Sequence, residues 1–385
     1  MNSNMHLVST ISREPALKHL SIVILGLSIR SSWGNGHATT YRGLVRALAA
    51  RGHRVLFLER NLPWYAQAVD MPNPVGARLE VYDTLPELMS RFTPAVREAD
   101  LVMVGSYTPQ GAAVGEWVLR NTRGVSAFYD IDTPVTLQGL AAGKVDYITI
   151  KLLRSYDLYL SFAGGPFLSY LAAKGARMAR PLYCSADLSC YFPDHRPYKW
   201  DLGYMGTYSL DRAASLEHLL LKPARLLPDA RIVVAGPQYP AELMWPPNVD
   251  RFEHVAPSEH PVFFASQRFT LNLTREPMKQ AGYSPSIRLF EAAACGCAII
   301  SDWWPGLDSF FAPGSEILIA RDEHDVVRYL TRVSANRRSR LADGARTRVL
   351  ADHTAETRAR QLESYLAEVD CSRQVDSHAP ASANP

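Results

Sequence analysis

Ser284, Arg288, Glu291 and Cys295 follow one another at spacings of four, three and four residues within the segment Pro277 to Asp302. On a helix they share one face, beside an apolar stripe of Ile287, Phe290 and Ala294. Ser284 or Ser286 can cap the start of that helix, with Pro285 in a first-turn position. Arg288 then falls in the first turn, where the helix end already carries partial positive charge, and a bound anion would remove that conflict. Backbone N–H groups, the serine hydroxyls and the guanidinium together suit a diphosphate. One turn deeper, Glu291 is an acceptor-only carboxylate that can hold two vicinal ribose hydroxyls. The competing explanation of the same spacing is an ordinary i,i+3 surface ion pair between Arg288 and Glu291.

A second group lies in Ser31 to Tyr41, SSWGNGHATTY. His37 opens a helical pattern, and an imidazole near its pKa at neutral pH can take a proton from an attacking hydroxyl. Asp130 or Asp132, at the end of a neighbouring strand, can orient it; a capping or loop-packing histidine is the alternative. Gly34-x-Gly36 with Glu59 also invites a nicotinamide-dinucleotide reading. Against it, Gly34 comes eight positions after Gly26, and Thr39 stands where the third glycine belongs. His53 reads as a packed turn residue. Asp130-Ile-Asp132 is the one visible Asp-x-Asp motif; it lies away from the expected phosphates, so no metal site is expected, and Asp132 before Thr133-Pro134 also suits a turn cap.

These groups need elements to hold them. Strand-like runs occur at Leu20 to Gly26, Val55 to Leu58, Ala77 to Tyr82, Leu101 to Gly105, Val125 to Tyr129 and Leu158 to Phe162, with helical segments between them. The Pro- and aromatic-rich stretch Cys190 to Trp200 interrupts the rhythm. It restarts with strands at Leu202 to Gly206, Arg231 to Ala235, Arg268 to Thr274, Cys297 to Ser301 and Glu316 to Ala320. Helices are expected at Leu210 to Leu227, Ser286 to Cys295 and across about Asp322 to Glu368. Strands alternating with helices predict an α/β chain with two doubly wound units and ligands at the carboxyl ends of their strands. The expected organisation is a poorly ordered segment 1–19, a first domain 20–190, a linker 191–200 and a second domain 201–350. A C-terminal helix over 351–369 packs back on the first domain, and 370–385 form a disordered tail.

Composition sets outer bounds. With 385 residues the chain fits two domains, and its formal net charge of +3 makes no electrostatic case for nucleic acid. Its apolar runs are strand-sized, short of the ~20 residues a membrane helix needs, and no signal peptide is apparent. The five cysteines read as buried thiols in a reducing compartment, so a cytoplasmic protein is expected.

The run from Ser286 to Ile300, with its Glu, small residues, Cys-Gly and apolar strand, resembles the donor-binding segment of GT-B glycosyltransferases. More narrowly, the chain resembles the CgeB-type, spore-maturation-related glycosyltransferase-like family. The residues that carry this are Tyr129-Asp-Ile-Asp-Thr-Pro134, Phe162-Ala-Gly-Gly165, Met205-Gly-Thr207 with Arg212, and Trp304-Pro-Gly-Leu-Asp308. The resemblance, from about residue 20 to 368, implies two Rossmann-like domains facing across a cleft. It places Gly206 and Arg212 near the donor phosphates and Glu291 on the ribose, with Tyr283, Ser284, Ser286 and Arg288 completing the donor side. It also places His37 where inverting relatives carry the base that deprotonates the acceptor, with Asp132 as its partner. Many retaining relatives carry a second Glu where this chain has Tyr283. The function expected is metal-independent transfer of a glycosyl group from a UDP- or GDP-type nucleotide-sugar, a co-substrate rather than a cofactor. The acceptor is a glycan, protein or small molecule. The alternatives are a nucleotide-sugar epimerase and a non-catalytic carbohydrate-binding or scaffold protein.

Overall fold

The computed structural model describes residues 19–378. The poorly ordered start expected at 1–19 therefore falls almost wholly outside the described residues. β-Branched runs become strands β1 (Ser21–Gly26), β2 (Arg54–Arg60), β3 (Arg78–Tyr82), β4 (Leu101–Gly105), β5 (Val125–Asp130), β6 (Leu158–Ser161) and β7 (Ala179–Pro181). They form one sheet in the order β3-β2-β1-β4-β5-β6-β7. The second sheet holds β8 (Trp200–Met205), β9 (Ile232–Ala235), β10 (Val249–Phe252), β11 (Gln267–Asn272), β12 (Ala298–Ser301) and β13 (Leu318–Ile319), in the order β10-β9-β8-β11-β12-β13. Every pairing in both sheets is parallel. Helices cover both faces, which is why β4 and β5 are buried at every residue instead of alternating. Ile22, Ile24 and Met103 point into one layer, Val23, Leu25 and Val102 into the other.

Strand order reverses between β1 and β4 and between β8 and β11. Those switch points open the crevices in which such sheets bind ligands. Two strands escaped the sequence reading. β7 is three residues ending in Pro181, and β10 is an edge strand that alternates half-buried with exposed positions. The helix expected over Leu210 to Leu227 is broken into a 3₁₀ turn, an α turn, a widened π turn over Glu217–Leu221 and the α segment Lys222–Leu226. The widened turn leads directly into Pro223, which has no N–H to return to the preceding turn.

The chain crosses between domains twice. After β7 it runs to β8, whose first residue is Trp200, the last of the expected linker. After the helix Ala335–Asp352 it returns beside that first crossing, with Ala186 N–H donating to His353 O and Ala355 N–H to Ala186 O. The final helix, Ala355–His378, then lies on the first domain. It adds Ala359, Leu362 and Leu366 to that domain's core, and Glu363 binds both Arg51 and His53. This corrects the expected tail: the chain is helical through His378 rather than disordered from 370, and 379–385 lie outside the described residues.

Candidate active site

The carboxyl edges of the two sheets face each other across a cavity of about 460 Å³. The first domain supplies the loop after β1 and the turn after β5. That loop is fixed from below by two carboxylates. Glu59, fully buried at the end of β2, accepts from Ser28 Oγ, from Ile29 and Arg30 N–H, and from Arg30 Nε. Asp70 binds Ser32 and Arg42. Glu59 therefore has its lone pairs committed to the loop and is not placed to hold a ribose, which removes the remaining support for a nicotinamide site.

The loop delivers His37 to the head of the helix His37–Ala50, lining the cavity. Its Nε2 lies 3.9 Å from Asp132 Oδ2, while Nδ1 is buried with no hydrogen-bond partner among the described residues. The same Oδ2 accepts from the Tyr107 hydroxyl at 2.9 Å and faces Arg275 Nη1 at 3.6 Å. Burial lowers the His37 pKa, with the Asp132 charge opposing and that of Arg275 assisting. Asp130 takes no direct part. It is sealed beneath the cavity by Tyr159 and Thr136, and burial raises its pKa to about 6.

The second domain supplies the other wall. Arg288 and Glu291 lie on the helix Ile287–Ala294, and neither is on a surface: they are 7% and 3% exposed. No ion pair joins them among the described residues, so the surface-pair explanation of their spacing fails. Arg288 reaches back along the sheet edge, bonding Met205 O and, at 2.8 Å, Asn272 Oδ1, and stacking 4.8 Å from the Tyr204 ring. Burial lowers its pKa. Glu291 lines the cavity, and its Oε1 is buried without a hydrogen-bond partner among the described residues. Ser286 is the N-cap residue but makes no side-chain cap, which leaves the first N–H groups of the helix without that partner. Ser284 lines the cavity with its hydroxyl on Met278 Sδ.

Gly206 directly follows β8 in a tight space, since a Cβ there would stand 2.7 Å from both Arg288 Nη2 and the Tyr204 hydroxyl. Arg212 lines the cavity too, with Nη1 on Thr207 O and Nε buried without a partner among the described residues. Thus His37, Asp132, Gly206, Arg212, Ser284, Ser286, Arg288 and Glu291 share one cavity.

Tyr283 is the exception and corrects its placement on the donor side, because it does not line the cavity. Its backbone is left-handed, with φ 46°. The peptide N–H donates to Pro305 O at 2.7 Å, and the carbonyl accepts from Gly164 N–H at 3.0 Å. Its ring sits between Gly165 and Gly306, where a Cβ would come within 2.5 and 2.6 Å of ring carbons. Phe162-Ala-Gly-Gly165 and Trp304-Pro-Gly306 thus meet on Tyr283, one from each domain, as a clamp between domains.

Sequence reasoning missed Arg275 and Tyr107. Arg275 follows β11 and binds Asp211 at 2.9 Å through Nε. Burial pulls its pKa down, but Asp132 and Asp211 outweigh that and leave it raised. The available signal was a charged residue just past a strand's carboxyl end. Tyr107, left-handed at φ 62°, carried no such signal. Among the described residues no group of three or more His, Cys, Asp or Glu side chains is placed to hold a metal ion, and no helix is long and apolar enough to cross a membrane. All five cysteines are unpaired thiols.

Comparison with known proteins agrees with this architecture. A family model described as glycosyl transferase-like matches residues 212–364. No curated protein sequence matches the chain. Among solved structures, sucrose-phosphate synthase from Thermosynechococcus elongatus is 16% identical, with TM-score 0.66 over 92% of this chain and all of that one. HepE from Anabaena, in complex with UDP and glucose, is 13% identical, with TM-score 0.67 over 91% of this chain and all of that one. An α-glucosyltransferase in complex with UDP-glucose and DNA containing an abasic site is also 13% identical, with TM-score 0.67 over 91% and all of the two chains. Two parallel sheets facing across a cleft give this chain the GT-B glycosyltransferase fold, and its second domain carries the glycosyl transferase-like match.

Proposed function

We propose that the chain transfers a glycosyl group from a nucleoside diphosphate sugar to an acceptor hydroxyl without a metal ion. The observation that carries this is Glu291 Oε1, a buried carboxylate oxygen with no partner among the described residues, lining the same cavity as the uncapped helix start and Arg212. A ribose hydroxyl supplies the missing donor, and the diphosphate answers the helix N–H groups and the arginines. The nucleotide complexes of similarly folded proteins, UDP with HepE and UDP-glucose with the α-glucosyltransferase, support a UDP-type donor.

On the facing wall, His37 Nε2 and Asp132 Oδ2 converge on one point of the cavity. We assign the proton to His37, because Asp132 Oδ2 is already occupied by the Tyr107 hydroxyl and faces Arg275, whereas the imidazole lines the cavity at the head of its helix. His37 takes the acceptor O–H proton, the oxygen forms a bond to the anomeric carbon, and the bond from that carbon to the diphosphate oxygen breaks. The charge left on the diphosphate is met by Arg212, Arg275 and the helix N–H groups. Such a single displacement inverts the anomeric centre. The meeting of the Gly165 and Gly306 motifs on Tyr283 supports a CgeB-type affinity. The small net charge favours a glycan, protein or small-molecule acceptor over nucleic acid.

The test is a panel of UDP-, GDP-, ADP- and TDP-sugars, scored for nucleotide release with and without candidate acceptors, DNA included. Acceptor-dependent release with an inverted product is expected. A sugar isomerised without acceptor would make the protein an epimerase, and binding without turnover a carbohydrate-binding protein. A product of retained configuration would remove His37 as base.

A further inference from the structure

Arg275, which lines the cavity, stands between two carboxylates, one from each domain. Nε is 2.9 Å from Asp211 Oδ2 in its own domain, and Nη1 is 3.6 Å from Asp132 Oδ2 in the other. That Asp132 oxygen also takes the Tyr107 hydroxyl and faces His37 Nε2 at 3.9 Å. One oxygen thus serves three partners, and two of them, Arg275 and a protonated His37, compete for its charge. The three arginines lining the cavity are not equally free to move. Arg288 is fastened to Met205 O and Asn272, and Arg212 to Thr207 O, whereas Arg275 binds only side-chain carboxylates among the described residues. The backbone of Tyr107 is held left-handed at φ 62°, a conformation that persists in a bulky residue only where its surroundings enforce it. The contact it secures is the one to Asp132.

We propose that Arg275 is a donor-responsive positioning residue: the donor's diphosphate draws it away from Asp132, and the freed carboxylate pairs with His37 and strengthens it as a base. This rests on the nucleotide-sugar reading above. Full basicity on the acceptor side then develops only when the donor is in place. The charged and titratable groups around His37 are Asp132, Tyr107 and Arg275, with Asp211 behind the arginine and Asp130 sealed beneath by Tyr159 and Thr136. Burial holds the imidazole pKa down, and Arg275 lowers it further while Asp132 raises it. Moving the arginine alone therefore shifts His37 upward.

Histidine-labelled NMR of the full chain tests this, with the His37 resonance assigned by its loss in His37→Gln. The midpoint of the His37 titration is followed with and without saturating nucleotide, using whichever of UDP, GDP, ADP and TDP binds best. In the wild type the nucleotide should raise the midpoint by about one pH unit. Arg275→Met should start at the higher value and respond far less. An equal rise in wild type and Arg275→Met overturns the inference, because the charge of the diphosphate then accounts for it. Should Arg275→Met not fold, Asp132→Asn gives the same decision: a rise of wild-type size without the carboxylate overturns it. Failure of all four nucleotides to bind sinks the nucleotide-sugar reading itself, an outcome distinct from equal shifts with normal binding.

Discussion

Replacing Glu291 by glutamine separates its two possible roles, because the shape is kept and only the charge is lost. In the folded protein its Oε1 is buried without a hydrogen-bond partner among the described residues, on a residue 3% exposed. Glutamine keeps an acceptor oxygen for the neighbouring Tyr191 hydroxyl and removes the cost of burying a charge with one oxygen unpaired. Glu291→Gln without nucleotide should therefore melt no lower than wild type. The nucleotide complex should lose a charge-assisted hydrogen bond, about 1.5–3 kcal/mol. At about 1.4 kcal/mol per decade this weakens the dissociation constant roughly 10- to 150-fold. Calorimetry with UDP, UMP and pyrophosphate reads where the loss arises. A contact to ribose predicts similar losses for UDP and UMP and none for pyrophosphate. Unchanged UDP affinity together with a lowered melting temperature would refute the reasoning and return Glu291 to a structural role.

Three further outcomes follow from the same geometry. His37→Ala should lower turnover by roughly 10²–10⁴-fold with donor affinity nearly unchanged. The base works when neutral, so wild-type turnover should fall as pH drops through the His37 midpoint, which burial lowers in the free protein and bound donor raises; a pH–rate profile of the variant should lack this limb. Gly306→Ala puts a side chain on a φ of 88° and 2.6 Å from the Tyr283 ring, so denaturant titration should show a loss of about 1–3 kcal/mol, partly restored when Tyr283 is also made alanine. Turnover should survive EDTA, since Arg212, Arg275 and the helix N–H groups meet the leaving diphosphate; loss in EDTA and recovery with manganese would direct attention to Asp130 and Asp132.

Much of the fold was legible because parallel strands covered on both faces are written as unbroken apolar runs; Leu101 to Gly105 was bounded to the residue. What escaped was weakly encoded. β7 is three residues long and β10 has no buried face, while the helix expected over Leu210 to Leu227 is present through Leu226 but changes its winding before Pro223. The site was legible as far as strand ends and helix starts fix position, which placed His37, Gly206, Arg288 and Glu291 at one cleft. Helical spacing says which residues share a face, not what stands opposite that face. It therefore left open an exposed pair for Arg288 and Glu291, whereas the helix is buried on all sides and Arg288 turns to Asn272. The role of Tyr283 depends on two glycines, one 118 positions before it and one 23 after, a proximity that only the tertiary structure creates.

The two sides of the cleft are held together by contacts of different kinds. On one side lie both chain crossings, the Tyr283 clamp, and Arg358 bonded to the Tyr183 and Cys184 carbonyls. These are backbone hydrogen bonds, a guanidinium on two carbonyls and packed rings. Across the cavity, the walls are joined by the ion pair of Arg275 with Asp132, at 28% and 18% side-chain exposure, and by the helix Glu276–Ala281 lying against Thr133–Ala141. A partly exposed pair at 3.6 Å contributes about 1 kcal/mol or less. Separation at the clamp would break the crossing hydrogen bonds, the Tyr283 packing and the Arg358 bonds together, whereas the ion pair at the mouth is weak. On the proposed nucleotide-sugar reading the cleft admits a nucleotide and then excludes water, and the ion pair is the contact an incoming diphosphate would replace with a stronger one. On that reading the arginine that pairs across the mouth is also the one that meets the donor's charge. The proposed coupling between donor entry and Asp132 then runs through Arg275 alone, with no need for a longer path through the fold.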